Sequence, residues 1–274
     1  MSDILTIKRP DHFDLDKIFD CGQSFRFEKG EDGFWQGVAF GRLLRVAQDE
    51  KNVYIESGRE DYETIWEKYL SLDEDYEKIN NDILAHFKND VIKRAMEAGD
   101  GIRILRQDPW ETLCSFIISQ NNNIPRIKSL VSAVCNTYGA GFEYGGAVYH
   151  AFPTREELLS AGEDGLKTLK TGFRAGYLIS AATLCGCDID LYKIRDEYTY
   201  EQGLEELCKI KGVGPKVASC TLLFSLGKTG AFPVDVWIKR TIDKYFGGKL
   251  DINSLGDYAG IAQQYLFYYE RTLQ

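Results

Sequence analysis

The chain has 274 residues, 44% of them hydrophobic, and a formal net charge of −9 at pH 7. This length provides for one large or two modest domains, and a membrane-spanning protein is excluded because no apolar stretch is long enough to cross a bilayer. No secretion signal is recognisable and the seven scattered cysteines are typical of reduced thiols, so we expect a cytoplasmic protein.

The first third of the chain is predicted to be rich in β-structure. It contains short runs of β-branched and aromatic residues, separated by glycine or by polar turns. The runs cover residues 34–40, 43–47 and 53–56.

From about Tyr62 onward the sequence has a helical pattern. Apolar residues recur at spacings of three and four, as at Leu166 and Leu169. The glycine-rich segment 139–146 interrupts this pattern and is predicted to be a loop. The sequence has neither a low-complexity tract nor a repeat of roughly 20–50 residues, which excludes a solenoid.

Metal-binding residue types do not cluster along the chain. The three histidines are far apart, and Cys185-Gly186-Cys187 provides only half of a metal site. A four-cysteine group near the C-terminus, of the kind that holds an iron–sulfur cluster, is not present in the sequence. We therefore expect no required cofactor, no catalytic metal and no iron–sulfur cluster.

The hairpin at residues 207–217 joins two apolar helical runs. Gly212 and Gly214 permit a tight turn, and free backbone N–H groups beyond the turn, such as that of Val217, can bind a phosphate. An ordinary connection between two helices explains the same residues, so both interpretations stand for this motif alone.

Two charged residues in and after the hairpin are candidates for chemistry. Lys216 lies at a predicted helix start among apolar neighbours, and both features favour the neutral amine that a nucleophile needs. Asp235 precedes an amphipathic helix, where a carboxylate both caps the helix and can stabilise a developing positive charge. Alternatively, Lys216 is a surface lysine that pairs with a phosphate, and Asp235 is a cap and nothing more.

Seven ordered blocks of the sequence resemble those of 8-oxoguanine DNA glycosylases, within the superfamily defined by a helix-hairpin-helix followed by a Gly/Pro…Asp motif. The blocks are residues 21–26, 105–109, 115–127, 172–177, the hairpin, 234–236, and 259–263 with Phe267. They span nearly the whole chain, and together they are far more specific than any one block.

The resemblance implies an α+β fold of two domains. An N-terminal antiparallel β-sheet domain, residues 1–108, would pack on a larger all-helical helix-hairpin-helix glycosylase domain, residues 109–274, with the active site in the cleft. It implies a monomeric, bifunctional base excision repair enzyme that flips 8-oxoguanine out of double-stranded DNA, excises it and nicks the strand, in association with the nucleoid. Lys216 would attack C1′ to give a Schiff base that permits β-elimination, and Asp235 would stabilise the cationic sugar.

The same resemblance assigns four residues to the lesion-base pocket. The carbonyl of Gly22 would accept the N7–H that 8-oxoguanine has and guanine lacks. Cys220 and Phe267 would sandwich the base, and Gln263 would bond its Watson–Crick edge. Cys220 lies four residues after Lys216, and Phe267 four after Gln263, so each pair shares a helix face. Simple burial explains Cys220 and Phe267 as well.

Four further residues are implied to contact the DNA around the lesion. Asn121 would fill the space of the flipped nucleotide, and Phe173 would act as a wedge beside it, where the family often has tyrosine. Arg126 and Arg174 match a pair that reads the cytosine opposite the lesion, which predicts a preference for cytosine. Without the resemblance, Asn121 belongs to a capped turn between helices, and both arginines are phosphate contacts or exposed residues at helix starts.

Two details of the motif concern ions and phosphates. The carbonyls of Cys208, Ile210 and Val213 could hold a structural monovalent or calcium cation, as this motif often does. Trp237 stands where family members often have a phosphate-contacting histidine, so that contact is in doubt, although an indole N–H can still donate.

The net charge of −9 argues against a DNA-binding surface unless basic residues are grouped locally. Basic residues around the proposed site would form such a stripe. They are Arg126, Lys128, Arg174, Lys209, Lys211, Lys216, Lys239 and Arg240.

Two other functions account for part of the sequence. A monofunctional glycosylase of the alkylation-repair type would use water as its nucleophile, and that class lacks the lysine. A non-enzymatic module that only holds DNA would need neither Lys216 nor Asp235, nor the block around Gly22. A cleavage assay on the purified protein separates these possibilities.

Overall fold

Five N-terminal strands form one antiparallel sheet in the structure, a computed structural model that describes residues 4–273. The strands are β1 (Ile4–Lys8), β2 (Glu28–Lys29), β3 (Trp35–Ala39), β4 (Arg42–Gln48) and β5 (Asn52–Glu56). Their spatial order is β1-β5-β4-β3-β2. In β5 the apolar Val53 and Ile55 are fully buried and alternate with partly exposed neighbours, as expected for a sheet with one face on a core. The three predicted strands are confirmed.

Helices make up most of the remaining described chain. They are α1 (Leu15–Asp20), α2 (Arg59–Asp61), α3 (Glu67–Tyr69), α4 (Tyr76–His86), α5 (Asp90–Ala98), α6 (Pro109–Ser119), α7 (Ile124–Tyr138), α8 (Arg155–Thr168), α9 (Arg174–Leu184), α10 (Leu191–Glu197), α11 (Tyr200–Cys208), α12 (Pro215–Phe224), α13 (Val236–Tyr245) and α14 (Ala259–Thr272). A π-helical turn, Tyr62–Trp66, joins α2 to α3, and a 3-10 segment, Ile252–Tyr258, leads into α14. Of residues 4–273, none belongs to a helix long and apolar enough to cross a membrane.

Side chains cap the N-termini of helices α6 and α7. Asp108 accepts from the N–H of Glu111 at the start of α6, and Asn123 accepts from the N–H of Arg126 at the start of α7. Each cap satisfies a backbone donor that has no partner inside the helix. The turn between α6 and α7 is therefore short and closely held.

The protein has two hydrophobic cores. The smaller core lies between the sheet, α1 and the helices at 59–69, and includes Trp66, while the larger core lies among the other helices. Helices α4 and α5 contribute Ile83 and Ile92 to the larger core. The domain boundary at residue 108 stays a prediction. Helices α4 and α5 precede this boundary in the chain but pack in the larger, helical core.

One arginine ties the segments around both cores together. The buried guanidinium of Arg103 donates to the carbonyls of Asp11, His12 and Ser71. Backbone carbonyls thus satisfy a charge that would otherwise be costly to bury. The α+β class, with an antiparallel sheet beside a larger helical part, is confirmed.

The prediction of a loop at the glycine-rich segment is wrong. Strands β6 (Gly141–Tyr144) and β7 (Ala147–His150) form an antiparallel hairpin there. Gly145 and Gly146 have φ values of 59° and 82° and make its two-residue turn. Because two residues with positive φ match the twist of paired strands, these glycines connect strands instead of interrupting structure.

Candidate active site

A cavity of about 740 Å³ opens between the α6–α7 turn, the starts of α12 and α13, and helix α14. It is lined by Gly22, Asn121, Lys216, Asp235 and Phe267, among others. A smaller cavity of about 50 Å³ adjoins the larger one, and several residues line both cavities. Residues far apart in the sequence are thus brought together as the sequence predicted.

The smaller cavity brings the catalytic and base-reading candidates to one place. Its lining includes Gly22, Lys216, Cys220, Asp235, Gln263 and Phe267. Three of the predicted DNA-contacting residues line neither cavity, namely Phe173, Arg126 and Arg174. They lie beside the α6–α7 turn at the rim of the larger cavity.

Lys216 lies in the first turn of α12 and is half-buried. Its Nζ lies 4.9 Å from the centre of the Phe116 ring and 3.4 Å from Oγ of Ser119. Phe116 is held in turn by stacking on Phe224, with ring centres 5.4 Å apart. Within residues 4–273 Lys216 forms no ion pair. Its amine lies beside the Phe116 ring, the Ser119 hydroxyl and the Cys220 thiol, and it lines both cavities.

Asp235 is the N-cap of α13. Its Oδ1 accepts from the N–H of Ile238 at 2.8 Å, and the side chain is half-buried at the edge of both cavities. The predicted cap is confirmed, and it holds the carboxylate in one orientation beside the space that Lys216 faces.

Cys220 and Gln263 form the inner wall of the smaller cavity. Burial raises the pKa of the Cys220 thiol, although the nearby Lys216 opposes this, so the thiol is neutral at pH 7 and offers an apolar surface. Gln263 is 4% exposed, and its Oε1 has no hydrogen-bond partner among the described residues. A buried acceptor without a donor is costly, so a ligand that donates a hydrogen bond to Gln263 would be favoured here.

Gly22 lines the same small cavity as Gln263 and has a φ of +80°. A Cβ at this position would lie 3.4 Å from Cε1 of Phe267. The backbone conformation and the close ring together explain why glycine occurs here.

The turn between α6 and α7 presents Asn121 at its tip. Asn121 is exposed and has a φ of 49°, a left-handed conformation that asparagine adopts more readily than most residues. Arg174 Nε donates to the carbonyl of Gln120 at 2.9 Å, and its Nη2 donates to the carbonyl of Asn121 at 3.2 Å. The buried Arg174 side chain therefore supports the tip from below.

Phe173 projects beside this tip and is 50% exposed. The guanidinium of Arg174 lies over its ring at 4.5 Å. Burial, together with the charge of nearby Arg126, lowers the pKa of Arg174, and Arg126 itself is exposed, with Nη2 3.3 Å from the carbonyl of Lys170. The four predicted DNA-contacting residues thus form one group.

The hairpin before α12 is tight. Gly212 has a φ of +85°, and the N–H of Val213 donates to the carbonyl of Ile210 at 2.9 Å. Gly214 caps α12 without a side-chain hydrogen bond, so the first N–H groups of the helix, including that of Val217, remain available to an anion.

The basic stripe is only partly formed. Lys128 Nζ donates to the carbonyl of Phe27 and lines a separate cavity, and Lys209 pairs with Glu206 at 2.7 Å. These two lysines therefore do not contribute to the charge around the site. Arg240 does lie close, because its guanidinium is 5.3 Å from the ring of Trp237, which lines the larger cavity.

Three residues that support the site were not predicted from the sequence. Phe116 and Ser119 contact Lys216, and Gln264 donates to the carbonyl of Cys21. Phe116 and Ser119 lie within the matched block 115–127, and their spacing of three on one helix was the available indication. Gln264 had no such indication, since its partner is 243 residues away.

Two family matches cover residues 5–253. Residues 5–113 match the N-terminal domain of 8-oxoguanine DNA glycosylase, and residues 114–253 match the HhH-GPD superfamily base excision DNA repair protein. The fold and the site thus define a protein of the helix-hairpin-helix class of base excision repair.

Individual relatives agree with this class. The N-glycosylase/DNA lyase of Saccharomyces cerevisiae is 34% identical over 252 residues, which are 82% of this chain and 66% of that protein, slightly less than two thirds of its length. MBOgg1 in complex with a low affinity DNA ligand superimposes with a TM-score of 0.93 at 38% identity, covering 98% of this chain and 96% of that one. The Clostridium acetobutylicum 8-oxoguanine glycosylase/lyase, solved with double-stranded DNA containing cytosine opposite 8-oxoG, gives 0.89 at 36% identity, covering 100% and 99%.

The chain belongs to the 8-oxoguanine DNA glycosylase family. The predicted family is confirmed.

Proposed function

We propose that the protein excises 8-oxoguanine from double-stranded DNA and then nicks the strand at the abasic site, acting as a monomer in association with the nucleoid. The observation that carries this proposal is the unpaired Oε1 of Gln263, which lies in the same small cavity as Lys216 and Asp235. Membership of the family, and the activities named for its relatives, support it.

The Gln263 acceptor favours one kind of base. A guanine-type edge carries an N1–H and an exocyclic amine, whereas adenine has an acceptor at N1. The Gln263 Oε1 can accept from either donor of the guanine-type edge, whereas an adenine edge offers it only the exocyclic amine and places a lone pair at N1. The pocket therefore suits a guanine derivative, and the Gly22 carbonyl would distinguish its oxidised form by the N7–H.

The base cannot enter the free protein without a change in the pocket. The smaller cavity has a volume of only about 50 Å³, against about 740 Å³ for the larger one. Phe267 lines both cavities and is only partly buried. Movement of this ring would open the pocket, after which the ring would stack on the base opposite Cys220.

The chemistry follows from the two charged residues. The neutral amine of Lys216 attacks C1′, the N-glycosidic bond breaks with its electron pair going to the base, and the base takes up a proton. Asp235 stabilises the positive charge that develops on the sugar. The C1′–O4′ bond then breaks, O4′ takes up the proton that the nitrogen loses, and a Schiff base forms between Lys216 and C1′. Loss of a proton from C2′ to water then forms the C2′–C3′ double bond as the 3′ phosphate leaves with its electron pair.

Arg126 and Arg174 would read the base opposite the lesion and prefer cytosine. Arg126 is exposed and weakly held, with a single bond of 3.3 Å to the Lys170 carbonyl. Arg174 supports the Asn121 tip, so insertion of Asn121 into the duplex would carry Arg174 toward the same base pair. Arginine can donate to the O2 and N3 atoms of an unpaired cytosine.

No cofactor is proposed for the reaction. The carbonyls of Cys208, Ile210 and Val213 lie at the hairpin turn, and a monovalent or calcium ion bound there would have only a structural role. Among residues 4–273, no three His, Cys, Asp or Glu side chains are grouped as a metal site.

The test is a cleavage assay on the purified protein with duplexes that carry 8-oxoguanine opposite each of the four bases. We expect cleavage, fastest opposite cytosine, and a covalent enzyme–DNA adduct when borohydride reduces the Schiff base. Lys216→Gln should bind the same duplex but give neither product nor adduct. Absence of cleavage with every duplex refutes the function, cleavage without an adduct refutes the Schiff base, and equal rates refute the cytosine preference.

A further inference from the structure

Helix α14 holds the loop that carries Gly22 at two points. Gln264 Nε2 donates to the carbonyl of Cys21 at 2.7 Å. Arg271 Nη2 donates to the carbonyl of Asp20, and to its carboxylate at 3.1 Å. Both anchors reach the peptide units immediately before Gly22.

The bond from Gln264 is completely enclosed. Gln264 is 2% exposed and Cys21 is 0% exposed, so water does not replace this bond when it is lost. The carbonyl of Cys21 and the N–H of Gly22 belong to one planar peptide unit. The hydrogen bond therefore fixes the plane from which the Gly22 backbone continues.

Only the two dihedral angles of Gly22 separate this plane from the Gly22 carbonyl. Gly22 has a φ of +80°, and a glycine has no Cβ to restrict its dihedrals. Its carbonyl direction thus depends on the neighbours that hold the loop. Gln264 provides the buried contact on the N-terminal side of Gly22, the buried Gln23 is held on its C-terminal side, and the ring of Phe267 lies beside Gly22.

The same helix carries two of the three side chains proposed to contact the base. Gln263 directly precedes Gln264, and Phe267 follows it by less than one turn. The anchor and the base-reading groups therefore belong to one rigid element, so the bond from Gln264 also sets the distance from the Gly22 carbonyl to the Gln263 amide.

We infer that Gln264 is a positioning residue that sets the discrimination between 8-oxoguanine and guanine, with Arg271 as a second anchor. It does so by holding the Cys21–Gly22 peptide so that the Gly22 carbonyl faces N7 of the bound base. This inference rests on the proposed function. The carbonyl attracts the N7–H of 8-oxoguanine and repels the N7 lone pair of guanine, so a carbonyl that turns away loses both effects.

The experiment measures binding in a Lys216→Gln background, where the base is not cut. Dissociation constants are compared for duplexes with 8-oxoguanine, with guanine, and with a tetrahydrofuran abasic analogue. Gln264→Leu should lower the preference for 8-oxoguanine over guanine about tenfold, the effect of one misplaced buried hydrogen bond. Affinity for the abasic duplex should stay within about twofold, because that duplex presents no base to the carbonyl.

Tyr265→Phe is the matched control. Tyr265 lies next to Gln264 on α14, and the change removes a hydrogen bond of 2.8 Å from its hydroxyl to Asn80 on α4. The preference should be unchanged in this variant. A similar loss of preference in Tyr265→Phe would show that general loosening of α14 is the cause and would overturn the inference.

Arg271→Gln provides a second route if Gln264→Leu does not fold, because the Arg271 side chain is 19% exposed. We expect a smaller loss of preference there, about threefold, since the bond is partly in water. An unchanged preference in folded Gln264→Leu overturns the inference but leaves the proposed function standing. If only Arg271→Gln folds, an unchanged preference in that variant overturns the inference. A parent Lys216→Gln protein without any preference for 8-oxoguanine refutes the proposed function, and the inference with it.

Discussion

The ring of Tyr177 lies so close to Gly212 that a Cβ on Gly212 would fall 2.2 Å from Cγ of the ring. This contact joins the hairpin to helix α9, and the N–H of Lys211 adds a bond of 3.2 Å to Oγ of Ser180 on the same helix. Tyr177 also packs edge-on against the exposed Phe173, with ring centres 5.6 Å apart. One side chain therefore contacts both the hairpin turn and the proposed wedge.

Gly212→Ala should destabilise the protein by about 2–4 kcal/mol, because the methyl group meets the Tyr177 ring and because alanine disfavours a φ of +85°. Gly214→Ala is the control, since Gly214 has a negative φ and open space around it; it should cost only about 0.5–1 kcal/mol, because alanine is a poorer N-cap than glycine. Urea unfolding measures both. Equal effects at the two glycines would contradict the steric argument.

Asp235→Asn should separate the charge of this residue from its capping role. Asparagine caps a helix as well as aspartate does, so the bond to the N–H of Ile238 should persist. We expect stability close to that of the parent protein but excision at least about a hundredfold slower. Asp235→Ala should be as slow and also less stable by about 1 kcal/mol. Single-turnover excision and thermal unfolding test this prediction. If Asp235→Asn excised the base as fast as the parent protein, Asp235 would act only as a helix cap.

Gln263→Leu and Gln264→Leu should have opposite effects on stability. Removal of the unpaired Gln263 Oε1 relieves a buried acceptor, so we expect the free energy of unfolding to rise by about 1 kcal/mol while 8-oxoguanine excision is lost. Removal of Gln264 breaks a satisfied buried bond and should lower it by about 1–2 kcal/mol. If Gln263→Leu were less stable than the parent protein, the amide would have a structural partner.

His12 should make stability depend on pH. Burial lowers the pKa of His12, but hydrogen bonds to Asp100 at 2.5 Å and Glu77 at 2.7 Å outweigh this and raise it above its usual value. A raised folded-state pKa contributes stability that is complete below the unfolded value of about 6.5 and is lost as the pH rises through the folded value. The same bond lowers the pKa of Glu77, whose contribution is lost as the pH falls through its folded value.

His12→Gln should therefore cost more stability at pH 6 than at pH 9, as measured by urea unfolding at both values. In a background of Glu77→Asn and Asp100→Asn the larger cost at pH 6 should disappear, because no carboxylate remains to favour the imidazolium and burial alone disfavours it. A cost that is independent of pH in the parent protein would contradict this account.

The local patterns of the sequence predicted the elements well. Alternating apolar residues at 53–56 gave a strand, and the aspartate at 235 gave a cap, because both depend only on neighbours within a few residues. The glycine-rich segment 139–146 was misread, because the same glycines that interrupt a helix also make a hairpin turn.

The sequence by itself determined the family and the fold class, and it predicted which residues meet the base, since these follow from ordered motifs and local periodicity. The tertiary structure decided which side chains hold them. Gln264 reaches Cys21 across 243 residues, and Lys216 faces Phe116 and Ser119 on another helix. Such contacts depend on how helices pack, and packing is set by the whole core and by no local pattern.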